Sequence, residues 1–278
     1  MKKLALLFAM AVIIISCGND DDAQPEVLGC TDATSINYNP SATIDDGSCV
    51  YNKNITFNFS QNWDGQSVSV ADFNNTLYTN EFGNKLNISK LRYLISRISL
   101  KRADGTTVDF EEYNLIDVED STTVFLAPAM MATTGDYTGI SFIYGFNEED
   151  NISGEYPDLN AANWNWPDML GGGYHFLQME GSYDDVNNMP QPYAYHNGTA
   201  RVSEGVFEQT YITFNFNQNF TITEDANIEI KMNIAEWYKN PYTWDLNDLD
   251  TDLMMNYEAQ MHMYENGPTV FSIGSITQ

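Results

Sequence analysis

The chain predicts an all-β fold: an antiparallel β-sandwich with long loops and one short C-terminal helix. Three observations point there. Residues 55–60, ITFNFS, alternate apolar and polar side chains, the period-two pattern of a strand with one buried face. Comparable runs recur at 91–101, 113–117, 139–145, 174–180, 212–216 and 227–235, with turn signals such as Asp104-Gly105 between them. No strand–helix–strand rhythm of a parallel sheet accompanies them, and a helical period shows only near the end. A hydrophobic content of 43% with 13% aromatics is ample for a packed core, which excludes wholesale disorder.

Taken in order, the chain opens as an export signal. Lys2 and Lys3 precede an apolar run from Leu4 to Ile15, too short for a comfortable membrane span. Ile-Ile-Ser before Cys17 resembles a bacterial lipobox, which makes 1–16 a signal peptide and Cys17 a lipidation site. The following acidic, proline-containing stretch reads as a flexible tether over 17–28, and an acidic run there resembles a surface-export signal. The expected location is therefore the bacterial outer membrane, lipid-anchored, on its periplasmic or cell-surface side. With 12 basic against 39 acidic residues, the net charge of −27 repels phosphate backbones and excludes nucleic acid as a partner.

Residues 29–51 resemble a short module common in exported bacterial proteins, with the order G-C-T-D…N-Y-N-P…D-D-G-S-C. Cys17 being committed to lipid, Cys30 and Cys49 remain as an even pair and are expected to form a disulfide. The module has too little apolar content for its own core, so that bridge must hold it. Asp32, Asp45 and Asp46 are hard oxygen donors of the kind calcium takes, and equally residues that shape turns.

The remainder, 52–278, is expected to be the sandwich. ITFNF at its start returns at 212–216, which two strands of similar environment explain as well as duplication. Near the end, Asp250 or Thr251 can cap a helix over 251–265 that Asn266-Gly267-Pro268 stops, with Leu253, Met254, Tyr257 and Met261 as its apolar stripe. His262 stands there between two methionines, where adjacent helical positions point different ways.

Two of the three histidines, His175 and His196, fall in or beside NWNWPDMLGGGYHFLQMEG and YAYHNG. Trp164 and Trp166 lie in the same stretch, and Gly171 to Gly173 allow a tight loop before Tyr174. The Asp-, Asn- and Pro-rich segment 182–192 makes a hairpin return plausible, and that return makes the two histidines neighbours. Imidazole is the commonest protein metal ligand, and copper(I) accepts imidazole and soft sulfur at low coordination number. Met169, Met179 and His262 are further candidate donors. Classical zinc patterns are absent: there is no HExxH and no cysteine pair at ligand spacing.

The order of LRYLISRISL (91–100), YNLID (113–117), GDYTGISFIYG (135–145), NWNWPDM, GGGYHFLQMEG, YAYHNG and NYEAQMHMYENGPTVFSIG resembles the MbnP-like (methanobactin-partner) copper-binding domain family. The resemblance implies a β-sandwich that binds copper. It further implies that one tryptophan is oxidised to kynurenine, whose nitrogen joins histidines as a ligand, in association with a dihaem partner of the cytochrome c peroxidase type. By position, Trp166 ranks before Trp164 and His196 before His175. The expected function is copper uptake, storage or handling without enzymatic turnover, since no Ser-His-Asp order or nucleophile elbow stands out. The rival expectation is a metal-free glycan-binding or adhesion sandwich using Trp63, Trp237, Tyr238, Tyr242 and Trp244 as an aromatic surface.

Overall fold

The computed structural model describes residues 26–278; the expected signal peptide, Cys17 and most of the tether lie outside the described residues. The chain divides into two compact units between Cys49 and Val50. That is two residues earlier than the sequence boundary, because Tyr51 is already bonded to Thr134 of the larger unit, its carbonyl accepting the Thr134 amide and its amide donating to the Thr134 hydroxyl.

The small unit is held by the expected disulfide, Cys30–Cys49, with Cα atoms 4.8 Å apart. Among its described residues the one regular pairing is the parallel contact of Leu28–Gly29 with Ile44–Asp45, so Leu28, expected as the last tether residue, lies in a strand. Among its described residues only Cys30 and Ser35 are buried, and the bridge stands in for a core. The described residues support the turn-shaping role of Asp32, Asp45 and Asp46 and give calcium no support. Asp32 accepts the Thr34 amide, Asp45 the Gly47 amide and Asp46 the Ser48 amide, at 2.8–3.0 Å. These carboxylates close Asx turns, and no group of three or more His, Cys, Asp or Glu among the described residues is arranged to hold a metal.

The larger unit, Val50–Gln278, is the sandwich. Its nine longer strands are β1 (Ile55–Trp63), β2 (Lys90–Arg102), β3 (Thr107–Asp117), β4 (Gly135–Tyr144), β5 (Leu177–Asp184), β6 (Pro190–Asn197), β7 (Ile212–Ile222), β8 (Ala226–Asn233) and β9 (Phe271–Thr277). One sheet joins β1, β8 and β9 with the short strands Gln66–Val68 and Phe125–Leu126. The other runs β7-β4-β2-β5, with β3 on β2, β6 on β5, and Lys85–Leu86 and Tyr78–Thr79 beyond β5. The pairings of this unit are antiparallel except β1 with β8, which is parallel. β1 and β7, the two ITFNF strands, lie in different sheets, each answering to its own half-buried environment.

Alternation built the core as the sequence pattern requires. Ile55, Phe57, Phe59, Gln61 and Trp63 of β1 are buried, as are Ala226, Ile228, Ile230 and Met232 of β8. The two layers meet at Phe271 of β9, whose ring lies 5.1–5.9 Å from Tyr93, Phe142, Tyr144 and Phe214 of the opposite sheet. Trp63, Trp237, Tyr238 and Trp244 belong to this interior: the last three are fully buried and Trp63 is 6% exposed. Four of the five aromatics expected as a surface thus form a core edge, with Tyr242 alone half-buried, which takes away most of the feature behind the glycan-binding alternative.

The C-terminal helix also differs from expectation. Residues 253–255 form a separate 3₁₀ turn, and the α-helix proper is Tyr257–Asn266, capped by Asn256, whose side chain accepts the Ala259 amide. The later start rotates the buried stripe to Ala259, Gln260 and Met263, with Tyr257 left outside.

A split along one edge of β2 positions the loop that carries His175 and the WNW tryptophans. On one edge of β2, β5 pairs with Lys90–Tyr93 while β4 pairs with Ile95–Arg102. The two strands part at Leu94, whose amide bonds Phe176 and whose carbonyl receives the Gly145 amide. The loop that links β4 to β5, residues 145–176, rises from this split and carries the short helix Pro157–Ala161, both WNW tryptophans and His175.

Candidate metal centre

Three left-handed glycines turn the end of that loop. Gly171, Gly172 and Gly173 have φ of +115°, +68° and +80°, and a side chain on Gly173 would collide with Asn151. The turn folds residues 164–166 against 173–175: the Trp166 amide bonds the Gly173 carbonyl, and the His175 amide bonds the Trp164 carbonyl. His175 therefore precedes β5 instead of lying within it, and is placed by its bonds to the WNW segment.

His196 arrives from β6. The hairpin expected from segment 182–192 is present, with Gln178 opposite His196 and Glu180 opposite Ala194. Side chains directly across an antiparallel pair share a face, so Gln178, Glu180 and His196 lie together. The imidazoles of His175 and His196 are 5.4 Å apart, centroid to centroid, and nearly perpendicular. Trp164 and Trp166 pack on His175 at 5.4 and 4.9 Å. Gly198 lets Trp166 in: a Cβ there would sit 2.5 Å from the indole.

Each imidazole spends one nitrogen on a group that only accepts hydrogen bonds. Nδ1 of His175 faces the Trp164 carbonyl at 3.0 Å, and Nε2 of His196 faces Oε1 of Glu180 at 3.0 Å. In the neutral ring the other nitrogen then carries the lone pair. Burial pushes His175 down to about 4, with smaller contributions from the cationic forms of His196 and Arg92, so it is neutral at physiological pH. The hydrogen bond from His196, then those from Lys90, hold Glu180 at about 2, as a carboxylate.

The two indole nitrogens differ. Nε1 of Trp166 donates to the carbonyls of Leu170 and Thr199 at 3.2 and 3.0 Å. Nε1 of Trp164 is buried without a hydrogen-bond partner, under the Arg92 guanidinium, which lies 5.0 Å from the ring centroid.

The remaining candidate donors stand apart. Met179 alternates with Gln178 and Glu180 and so faces away from His196; it is buried, with its sulfur against the Tyr238 hydroxyl. Met169 is 59% exposed, and its side chain makes no described contact with either imidazole. His262 stacks on Tyr242 at 3.7 Å and lies 3.8 Å from Glu258. A cavity of about 670 Å³, lined by Arg97, Asp109, Tyr113, Asp150 and Tyr156, contains neither site histidine.

Family comparison agrees with this architecture. The family description MbnP matches residues 52–256. The chain belongs to the MbnP family. A search of curated proteins finds no match. Among solved structures, MbnP from Methylosinus trichosporium aligns over 80% of this chain and 98% of its own at 13% identity, with a TM-score of 0.53. At that identity the likeness establishes the fold.

Within this MbnP-family domain, sequence reading missed Glu180 and Gln260. Glu180 was legible in principle: once the hairpin is drawn, alternation places it diagonally from His196. Gln260 had no local signal. It is fully buried, its amide donates to the carbonyls of His196 and Leu253, and its oxygen accepts from Asn197 and Gly198.

Proposed function

We propose that this MbnP-family protein binds copper, as copper(I), through His175 and His196 beside Trp164, in copper uptake, storage or handling and not in turnover. The observation that carries this is the pair of imidazoles 5.4 Å apart, each keeping one ring nitrogen for a ligand. With metal–nitrogen bonds of about 2.0 Å, two imidazoles on one ion have centroids roughly 5–6 Å apart. The donor set fits a soft ion content with few ligands. It does not fit calcium, which takes about 6–8 oxygens, nor four-coordinate structural zinc.

Trp164 is the better third partner, ahead of Trp166. Conversion to kynurenine, as the family resemblance implies, turns the former Nε1 into an arylamine able to join the histidines. In Trp166 that nitrogen is held by two carbonyls; in Trp164 it has no partner. The oxidant would come from a dihaem peroxidase-type partner. The disulfide fits an oxidising, extracytoplasmic compartment, and Cys17 would anchor the chain by lipid.

Copper(I) titration of the mature protein against a chromophoric competitor tests the reading. The expected result is one copper per chain, lost in the His175→Ala, His196→Ala double variant; unchanged binding in that variant refutes it. Peptide mass analysis is expected to place any oxygen-dependent mass change on Trp164, and to find it absent in Trp164→Phe.

A further inference from the structure

We infer that Glu180 is a positioning residue for this site, tempered by Lys90, and that the two histidines present unlike nitrogens, Nε2 from His175 and Nδ1 from His196. The inference rests on the copper reading above and adds how the ligands are aimed.

The two rings are held by different means. His175 is fixed by main chain: the Trp164 carbonyl accepts both its amide, at 2.9 Å, and its Nδ1–H, at 3.0 Å. No side-chain substitution removes that acceptor, so the lone pair stays on Nε2. His196 is fixed by side chains in a row across three neighbouring strands. Lys90 on β2 is the register partner of Glu180 on β5, and Glu180 lies diagonal to His196 on β6. Oε1 of Glu180 accepts from Lys90 Nζ and from His196 Nε2, each at 3.0 Å. Because the carboxylate only accepts, it orients the ring with Nδ1 free.

The row also sets ligand strength. A carboxylate on the distal N–H of an imidazole enriches the ligating nitrogen and fixes the ring angle, and losing such a partner costs about 10–100-fold in metal affinity. Lys90 draws on the same carboxylate oxygen and adds a positive charge beside the cation, so it opposes that effect. The two residues should therefore move affinity in opposite directions. A purely structural ion pair has no reason to do so, because removing either partner breaks it equally.

Silver(I), a diamagnetic stand-in for copper(I) whose nucleus couples to bound nitrogen, gives the direct test on ¹⁵N-histidine-labelled mature protein. Coupling is expected at Nε2 of His175 and Nδ1 of His196. Coupling through the other nitrogen of either ring overturns the donor assignment and leaves the copper reading standing; no silver or copper at either ring removes the copper reading itself. In copper(I) titrations, Glu180→Gln is expected to weaken binding at least about tenfold. Glu180→Asp should recover part of that loss, and Lys90→Gln should bind no more weakly than wild type. A Glu180→Gln protein with lowered thermal stability but unchanged affinity shows a structural role only and overturns the inference. So does an equal weakening by Lys90→Gln, which remains decisive should the Glu180 variants fail to fold.

Discussion

His175 shows how one side chain can be read as both a core residue and a ligand. It is 6% exposed, packed between two indoles, and satisfied at Nδ1 by a main-chain carbonyl. Burial holds its pKa near 4, against 6.5 in the unfolded chain. The unfolded state therefore takes up this proton first as pH falls. The stability contribution is whole above pH 6.5 and is lost progressively down to about pH 4, amounting to about 3 kcal/mol. Denaturant midpoints measured across that range should fall in the wild type more steeply than in His175→Gln, where this proton is absent. Equal slopes would mean that the imidazole is not buried as described. The sequence marked His175 as a candidate but placed it inside a strand; its real position is just before β5, because the glycine turn binds it to the WNW segment first.

At the level of elements, the site depends on three pieces brought to one place: the 145–176 loop, the β5–β6 hairpin, and the helix Tyr257–Asn266. The hairpin was legible, since alternating runs flank a polar, proline-rich turn. The helix's part in the site was not. Its contribution comes through Gln260, whose amide group bonds the end of β6 at His196, Asn197 and Gly198. A glutamine in a surface-looking YEAQMHMYEN stretch carries no sign of this until the helix docks. Gln260→Ala leaves several of these buried groups without partners, each costing about 1–3 kcal/mol, so a loss of roughly 3 kcal/mol or more is expected in urea unfolding. A loss under about 1 kcal/mol would show that the helix does not hold the strand end. The aromatic run WYKNPYTW illustrates the opposite error: its composition suits a sugar-stacking surface, yet Trp237, Tyr238 and Trp244 lie against Tyr195 and fill the core edge.

For the whole molecule, the two units have separate sources of stability, a covalent bridge in one and a double-layered apolar core in the other. Reduction of Cys30–Cys49 should therefore unfold residues 26–49 while Val50–Gln278 keeps its dispersed amide spectrum and aromatic circular dichroism. Collapse of both together would contradict the division after Cys49. Strand periodicity, paired cysteines and the acidic balance were settled by the residues alone, because alternation, covalent chemistry and charge are local properties that survive any arrangement of the chain. Which aromatics face water, which of the two WNW tryptophans keeps an unpartnered nitrogen and which carboxylate meets His196 were decided only by the tertiary structure. Those facts depend on strand register and on where β4 and β5 part at Leu94, and contacts between residues so far apart in sequence exist only once the sheet has formed.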